Sequence, residues 1–235
     1  FQRMLRFQRM LRFQRMLCFQ RLVCDKMIGS SRIQSLVAAY DGDAIGFFGS
    51  MGGHRNFLER YALILEQENL SILDELGDFA GQRFPSDFDI SCSEKHFSWF
   101  FHFHDEDKSG KGHFHLYASP EYFNDSSTSE KTHIIAVELT ENGDLSGFFV
   151  PNNWVTRDHP RRSEEILSTV NVFHTNNNKY SISLNLWLTA ILMEFEDIIT
   201  NLLMQKQQFL GTLNRADRDE YFQNREVEKI CEQVI

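Results

Sequence analysis

Large apolar residues alternate with smaller or polar ones along two short stretches near the middle of the chain, residues 97–104 and 113–118. This alternation is typical of β-strands, because successive side chains of a strand point to opposite faces. A third stretch, 133–139, is almost wholly apolar and is followed by Asn142-Gly143, a strong hairpin signal. A return strand is then expected at 145–150. The pattern therefore predicts four antiparallel strands.

Helical spacing of apolar residues is found on both sides of these strands. Asn56 is followed three residues later by Glu59, the pattern of a capping box at the start of a helix. Ser163 begins another predicted helix. The longest apolar stripe lies within 183–210 and ends at Gly211. The fold class is thus predicted to be α+β, with a central antiparallel β-sheet of about four strands flanked by helices and a long C-terminal helix.

The first 23 residues repeat a basic hexapeptide, beginning FQRMLR. Each repeat turns a helix by about 600°, so the apolar side chains would lie on every side and form no single buried face. Residues 1–28 are therefore expected to lie outside the fold. They are interpreted as a spurious extension of the reading frame before Met27, as a targeting leader, or as a functional basic arm. The glycine-rich segment 29–53 is predicted to be a flexible connection, and 54–235 a single α+β domain.

Composition and charge narrow the classes of function. The formal net charge of −9 argues against a protein that binds nucleic acid by neutralising phosphates. The longest apolar stretch is shorter than the roughly 20 residues that a membrane span needs, so no membrane partner is expected. Four scattered cysteines without a pairing pattern favour a reduced, cytoplasmic setting. A small-molecule ligand or self-association remains open as a partner.

Four histidines fall on one face of the first predicted hairpin. A symmetric hairpin around the loop 105–112 would pair His104 with His113 and His102 with His115. Directly opposite residues share a sheet face, with Cβ atoms about 4.5–5.5 Å apart. All four imidazoles would then form one patch, while the opposite face of both strands carries large apolar side chains and is predicted to be core.

Converging imidazoles suit a divalent transition metal such as Zn or Fe, and Cu and Ni are alternatives. The predicted metal ligands are His102, His104, His113 and His115, and His133 on the next strand is a candidate ligand or catalytic base. If the site is catalytic, hydrolysis of an ester, amide or phosphoester by metal-activated water is the simplest hypothesis.

Three other interpretations of the same histidines stay open. They could be an ordinary half-exposed sheet face, a metal-free pocket in which two histidines act as acid and base, or the surface of a non-enzymatic domain that binds a ligand or another protein. A pocket wall is predicted from Asn153, Trp154 and Thr156, which follow the fourth strand. Tyr117 is expected to continue the histidine face.

Several segments together resemble an uncharacterised bacterial family classed as a domain of unknown function. These segments are Phe101-His102-Phe103-His104, Gly112-His113-Phe114-His115-Leu116, Thr132-His133-Ile134-Ile135, Asn153-Trp154-Val155-Thr156, Asn185-Leu186-Trp187-Leu188-Thr189-Ala190, and the near-terminal run 219–228 with Arg225, Glu226 and Glu228. The resemblance covers about 54–235 and leaves out the repeat. It implies that 225–235 is extended rather than helical, and it implies no activity, because the family has none assigned.

Overall fold

The computed structural model describes residues 30–76, 83–85, 89–92, 96–103, 112–175 and 181–235. The predicted leader 1–28 and the predicted ligand His104 lie outside the described residues.

The described residues form a single antiparallel sheet of seven strands, not the predicted four or so. The strands are β1 (Arg83–Phe84), β2 (Ile90–Cys92), β3 (Phe97–Phe103), β4 (Gly112–Ala118), β5 (Thr132–Leu139), β6 (Leu145–Pro151) and β7 (Lys229–Val234). Their order is β1-β3-β4-β5-β6-β7, and β2 also pairs with β3.

The four predicted strands are β3 to β6, and Gly143 supplies the positive φ of 79° in the turn between β5 and β6. Of the three further strands, β1 and β2 have only two and three residues, too few for an alternating pattern to reveal. The last, β7, lies in the segment for which the family resemblance implied an extended chain.

Eight α-helices occur in the part of the chain that the structure describes. They are α1 (Ser31–Val37), α2 (Ala44–Ser50), α3 (His54–Glu68), α4 (Asn153–Thr156), α5 (Ser163–Val170), α6 (Ile182–Glu194), α7 (Glu196–Thr212) and α8 (Arg215–Gln223). The long C-terminal helix is divided into α6 and α7, because Phe195 leaves helical geometry at φ −110° and ψ 22°. Its ring packs against Phe148 of the sheet, with the ring centroids 5.4 Å apart.

The segment 29–53 differs from the flexible connection that its glycines suggested. It contains α1 and α2, and Phe47 and Phe48 on α2 are only 4% and 2% exposed. Both rings contact Phe57 of α3, with centroid distances of 5.9 and 5.5 Å. Two adjacent buried phenylalanines thus hold in place a segment whose glycine content had suggested a flexible connection.

One face of the sheet forms the core with α6. Trp99, Phe101 and Phe114 on this face are fully buried, and the Phe114 ring lies 6.0 Å from that of Trp187 on α6. Helix α6 also contacts α3. Because α6 is covered by the sheet and by α3, it is apolar nearly all round.

The register between β3 and β4 differs from the predicted one by two residues. His102 pairs with His113, and Phe100 pairs with His115, so the predicted pairs His102–His115 and His104–His113 are wrong. A shift of two keeps every side chain on its predicted face, because side chains alternate with a period of two. The observed register lets the Phe101 ring cover Gly112, where a Cβ atom would lie 2.1 Å from Cζ of that ring.

Candidate functional site

Strands β3 and β4 bring three histidines together on the sheet face opposite the core. The ring centroids of His102 and His113 are 5.4 Å apart, and those of His113 and His115 are 4.6 Å apart. One ring nitrogen from each of the three lies within 4.8 Å of the other two. We call His102, His113 and His115 the histidine triad.

A β-bulge adds His133 to the same face. Up to Leu116, which pairs with Ile135, the β4–β5 ladder is regular, and the register then shifts so that Tyr117 pairs with His133. Without this shift Tyr117 would oppose Ile134, and His133 would point to the core face. The bulge therefore brings the ring of His133 to 5.1 Å from that of His115.

Three of these imidazoles form a hydrogen-bonded chain. Nε2 of His113 lies 2.9 Å from Nε2 of His115, and Nδ1 of His115 lies 3.0 Å from Nε2 of His133. A neutral imidazole has one N–H and one acceptor nitrogen. His115, if neutral, therefore donates to one neighbour and accepts from the other, and the tautomer of each ring depends on that of the next.

Burial keeps the three hydrogen-bonded imidazoles away from water. His115, His133 and His113 are only 2%, 3% and 7% exposed, whereas His102 is half-buried. The pKa of His133 is lowered well below its ordinary value, mainly by burial and further by the positive charge of Lys206 and by His113. His133 is therefore neutral at pH 7, the form in which a ring nitrogen can accept a hydrogen bond.

Aromatic rings surround the histidines. Phe100 lies 4.9 Å from His115, Phe149 lies 5.0 Å from His113, and Tyr117 lies 5.0 Å from His133, measured between ring centroids. Burial, followed by the negative charges of Asp158 and Asp89, raises the pKa of the Tyr117 hydroxyl well above its ordinary value. Tyr117 therefore stays protonated in a largely apolar surrounding.

Two cations border this aromatic layer. The guanidinium of Arg83 lies 4.1 Å from the centre of the Phe100 ring, and Nζ of Lys229 lies 4.5 Å from that of Phe149. Lys229 also contacts Glu138 at 3.0 Å, and Arg83 contacts Asp89. The outer charges are thus paired, so two compensated ion pairs lie at the border of the histidine face.

The ring nitrogens of the triad are close enough together that they could hold a metal ion. Two imidazole nitrogens that bind one zinc ion at about 2.0–2.1 Å lie roughly 3.3 Å apart in tetrahedral geometry. The corresponding distance between His113 and His115 is 2.9 Å. A metal would use the same nitrogens that form this hydrogen bond, so the arrangement can hold either a shared proton or a metal at that position.

Of the predicted pocket residues, Asn153 and Thr156 bind the same partner, whereas Trp154 and Tyr117 have other surroundings. Asn153 donates from Nδ2 to the carbonyl oxygen of Asp158 at 2.8 Å, and the Thr156 hydroxyl donates to the Asp158 carboxylate. Trp154 donates from Nε1 to the carbonyl oxygen of Val227 at 2.8 Å, which ties α4 to the segment before β7. Asn153 lines a cavity that is separate from the triad, and Tyr117 lies among the histidines.

Sequence reasoning missed two residues near the site, Phe149 and Asp158. Phe149 covers His113 from β6, and no signal marks it among the other apolar residues of that strand. Asp158 accepts a hydrogen bond from the backbone N–H of His133 at 3.2 Å. Asn152 is fully buried, and its side-chain amide donates to the carbonyl oxygens of Tyr221 and Val227.

None of the helices in the described ranges is long and apolar enough to cross a membrane. Searches of curated proteins and of solved structures found no match to the chain. The sequence model of one family, described as a domain of unknown function, DUF6969, matches residues 58–235. This match confirms the resemblance drawn from the histidine, Trp-Val-Thr and near-terminal segments. The chain therefore belongs to the DUF6969 family, an uncharacterised domain of unknown function.

Proposed function

We propose that this chain is a metal-binding domain in which the histidine triad holds a divalent transition metal, Zn or Fe. The observation that carries the proposal is that ring nitrogens of His102, His113 and His115 lie within 4.8 Å of one another on adjacent strands. Neutral imidazole is a good ligand for these metals. Antiparallel strands are also a rigid support, which fixes ligand positions better than a loop does.

His133 acts in this proposal as the partner that orients His115. When Nε2 of His115 binds the metal, its Nδ1 carries the hydrogen and donates it to Nε2 of His133 over the observed 3.0 Å. Metal-binding histidines almost always donate their other N–H to such a partner, which fixes the tautomer and the ring orientation. The lowered pKa of His133 supports this role, because a neutral ring can accept the hydrogen.

Hydrolysis is the catalytic form of the proposal. A metal with three histidine ligands keeps a further position for water or substrate and supplies Lewis-acid chemistry for cleaving an ester, amide or phosphoester. His102 is the half-buried member of the triad, so substrate would approach from its side. The aromatic rings of Phe100 and Phe149 would exclude bulk water around His115 and His113.

A metal-free acid–base function is the second candidate. It is favoured by the continuous chain of hydrogen bonds from His113 through His115 to His133. Such a chain can move a proton from His113 to His133 by changing the tautomer of each ring in turn. In this form the hydrogen bond between His113 and His115 is kept, whereas metal binding would break it.

Metal content measured by mass spectrometry on the purified full chain tests the first proposal. The key variant is His102→Ala, because His102 is half-buried and its loss leaves the buried hydrogen bonds of the other histidines in place. The matched control is His54→Ala, which removes a histidine that contacts Glu194 at 3.3 Å on another part of the protein.

Wild-type protein and His54→Ala are expected to carry close to one metal ion per chain, and His102→Ala much less. A wild-type chain that is empty and takes up neither added Zn nor added Fe would overturn the metal proposal. The metal-free candidate then predicts that ¹⁵N NMR of the imidazoles finds hydrogen-bonded tautomers for His115 and His133. Rings without such hydrogen bonds would overturn that candidate as well.

A further inference from the structure

We propose that a cavity separate from the histidine triad binds a small organic anion with an apolar body, such as an aryl or alkyl phosphate or carboxylate. The cavity has a volume of about 690 Å³ and lies between the segment 151–163, the C-terminal half of α7, helix α8 and Ile230 of β7. Small-molecule sites typically have volumes of about 300–1,000 Å³.

Positive charge dominates the cavity wall, although the whole chain carries −9. The basic residues that line it are Arg161, Arg162, Lys206, Arg215 and Arg218, and the acidic ones are Asp158 and Asp219. A positively charged cluster attracts anions locally even in an acidic protein, because the low-dielectric walls of a cavity focus its electric field.

Two of these cations are already paired. Arg161 contacts Asp125 at 2.6 Å and donates to the Thr132 hydroxyl at 3.1 Å, and its side chain is only 8% exposed. Arg162 contacts Glu165 at 3.2 Å. These two arginines therefore shape the wall, while the charges that remain for a ligand come from α7 and α8.

Arg218 presents a buried donor that lacks a partner. Its Nη2 donates to the carbonyl oxygens of Leu210 at 2.8 Å and Leu213 at 3.4 Å, which fixes the guanidinium at the end of α7. Its Nε is buried, and no hydrogen-bond acceptor is found for it in the described part of the chain. A buried charged donor without an acceptor is uncommon in proteins and is often explained by a bound ion or water.

Lys206 supplies a second unpaired charge. Within the described residues its Nζ has no hydrogen bond or ion pair, although the negative charge of Asp158 partly offsets the effect of burial on its pKa. Burial lowers the pKa of this amine, so its charged form is poorly solvated. An anion between Lys206 and Arg218 would stabilise both charges at once.

The rest of the wall indicates the body of the ligand. Leu210, Phe222, Ile230 and two prolines line the cavity together with the cations. A bare inorganic ion would leave most of 690 Å³ unfilled and this apolar surface in contact with water. An anion that carries a ring or a short alkyl chain fills the space and buries the apolar wall, as small-molecule sites commonly do.

The inference does not depend on the metal. None of the three triad residues is among the residues that line the cavity. Two residues of the cavity lining also act on His133: Asp158 accepts a hydrogen bond from its backbone N–H at 3.2 Å, and the positive charge of Lys206 helps to lower its pKa. Because no triad residue lines the cavity, loss of anion binding and loss of metal can still be measured separately.

Isothermal titration calorimetry of the full chain tests the proposal with four probes: phenyl phosphate, phenylacetate, inorganic phosphate and neutral benzyl alcohol. The key variant is Lys206→Met, which keeps the length and the apolar stem of the side chain. The variant should fold, because it removes a poorly solvated charge that makes no ion pair in the described part of the chain. Two variants serve as controls. Lys206→Arg keeps a positive charge at the same position, and Arg60→Met removes an exposed cation of α3 that does not line the cavity.

At least one aromatic anion is expected to bind wild type at least tenfold more tightly than benzyl alcohol and inorganic phosphate do. Lys206→Met should weaken this binding at least tenfold, while Lys206→Arg and Arg60→Met should stay within threefold of wild type. Equal binding of benzyl alcohol would overturn the charge requirement, and equal binding of inorganic phosphate would overturn the apolar body. No binding of either aromatic anion, or unchanged binding to Lys206→Met, would overturn the site.

Discussion

Gly112→Ala tests the strand register that brings the histidine triad together. A Cβ atom at this position would lie 2.1 Å from Cζ, 2.8 Å from Cε1 and 3.0 Å from Cε2 of Phe101. The Phe101 ring is fully buried and packs against Phe114 at 5.0 Å, so it cannot move away easily. Overpacking a core in this way costs about 1–3 kcal/mol in the free energy of unfolding. For a chain of this size that corresponds to a drop of roughly 2–12 °C in Tm.

Urea unfolding followed by tryptophan fluorescence measures this change, with Gly49→Ala as the matched control. Gly49 lies in α2, and a Cβ atom there would have no neighbour within 4 Å. Alanine is a better helix former than glycine, so this control should gain about 0.4–1 kcal/mol. Combining Gly112→Ala with Phe101→Leu should cost less than the sum of the two single changes, because the shorter side chain makes room for the methyl group. Wild-type stability of Gly112→Ala would refute the register.

Two further predictions concern the triad and the cavity. His133→Gln should lower metal affinity about 10–100-fold and leave the metal stoichiometry unchanged, because it weakens the orientation of His115 without removing a ligand. Competition with a chelator measures the affinity. Loss of all metal would instead identify His133 as a ligand. For Lys206, burial lowers the pKa below its ordinary value of 10.5, so between these two pKa values the unfolded chain binds more protons and stability rises with pH. In urea titrations, Lys206→Met should therefore have a higher free energy of unfolding than wild type at pH 7, and a smaller advantage near pH 10. A difference between the two proteins that is independent of pH would contradict the lowered pKa.

The alternation of side chains predicted which residues of the β3–β4 hairpin face the core. Shifting one strand by a single residue would have exposed several phenylalanines, so such a register is strongly disfavoured. The alternation could not predict the pairing itself, because a shift of two residues leaves both faces unchanged. That choice depends on the contact between Phe101 and Gly112, which is visible only when both strands are in place. The sequence therefore predicted the histidine face, and the structure corrected the pairs.

The position of His133 could not be predicted from alternation either. Alternation within β5 places Ile135 and Val137 on the core face, and regular continuation would put His133 there too. The bulge beside Tyr117 reverses this, and no residue in β4 or β5 marks a bulge in the sequence. Similarly, the cavity cations of the consecutive helices α7 and α8 meet Arg161 and Arg162, which lie more than 40 residues earlier in the chain, and no periodic pattern predicts that these segments come together.

The position of β7 beside β6 has a consequence for how the protein folds. Strands β3 to β6 follow one another along the chain and pair with their sequence neighbours, so their contacts can form early. Strand β7 pairs with β6 although the whole segment 152–228, with α4 to α8, lies between them. This pair closes a long loop and is expected to form late. Until then the backbone edge of β6, with Phe148 and Phe149 on its two faces, remains open to pairing with another molecule. Refolding should therefore be more efficient in dilute solution.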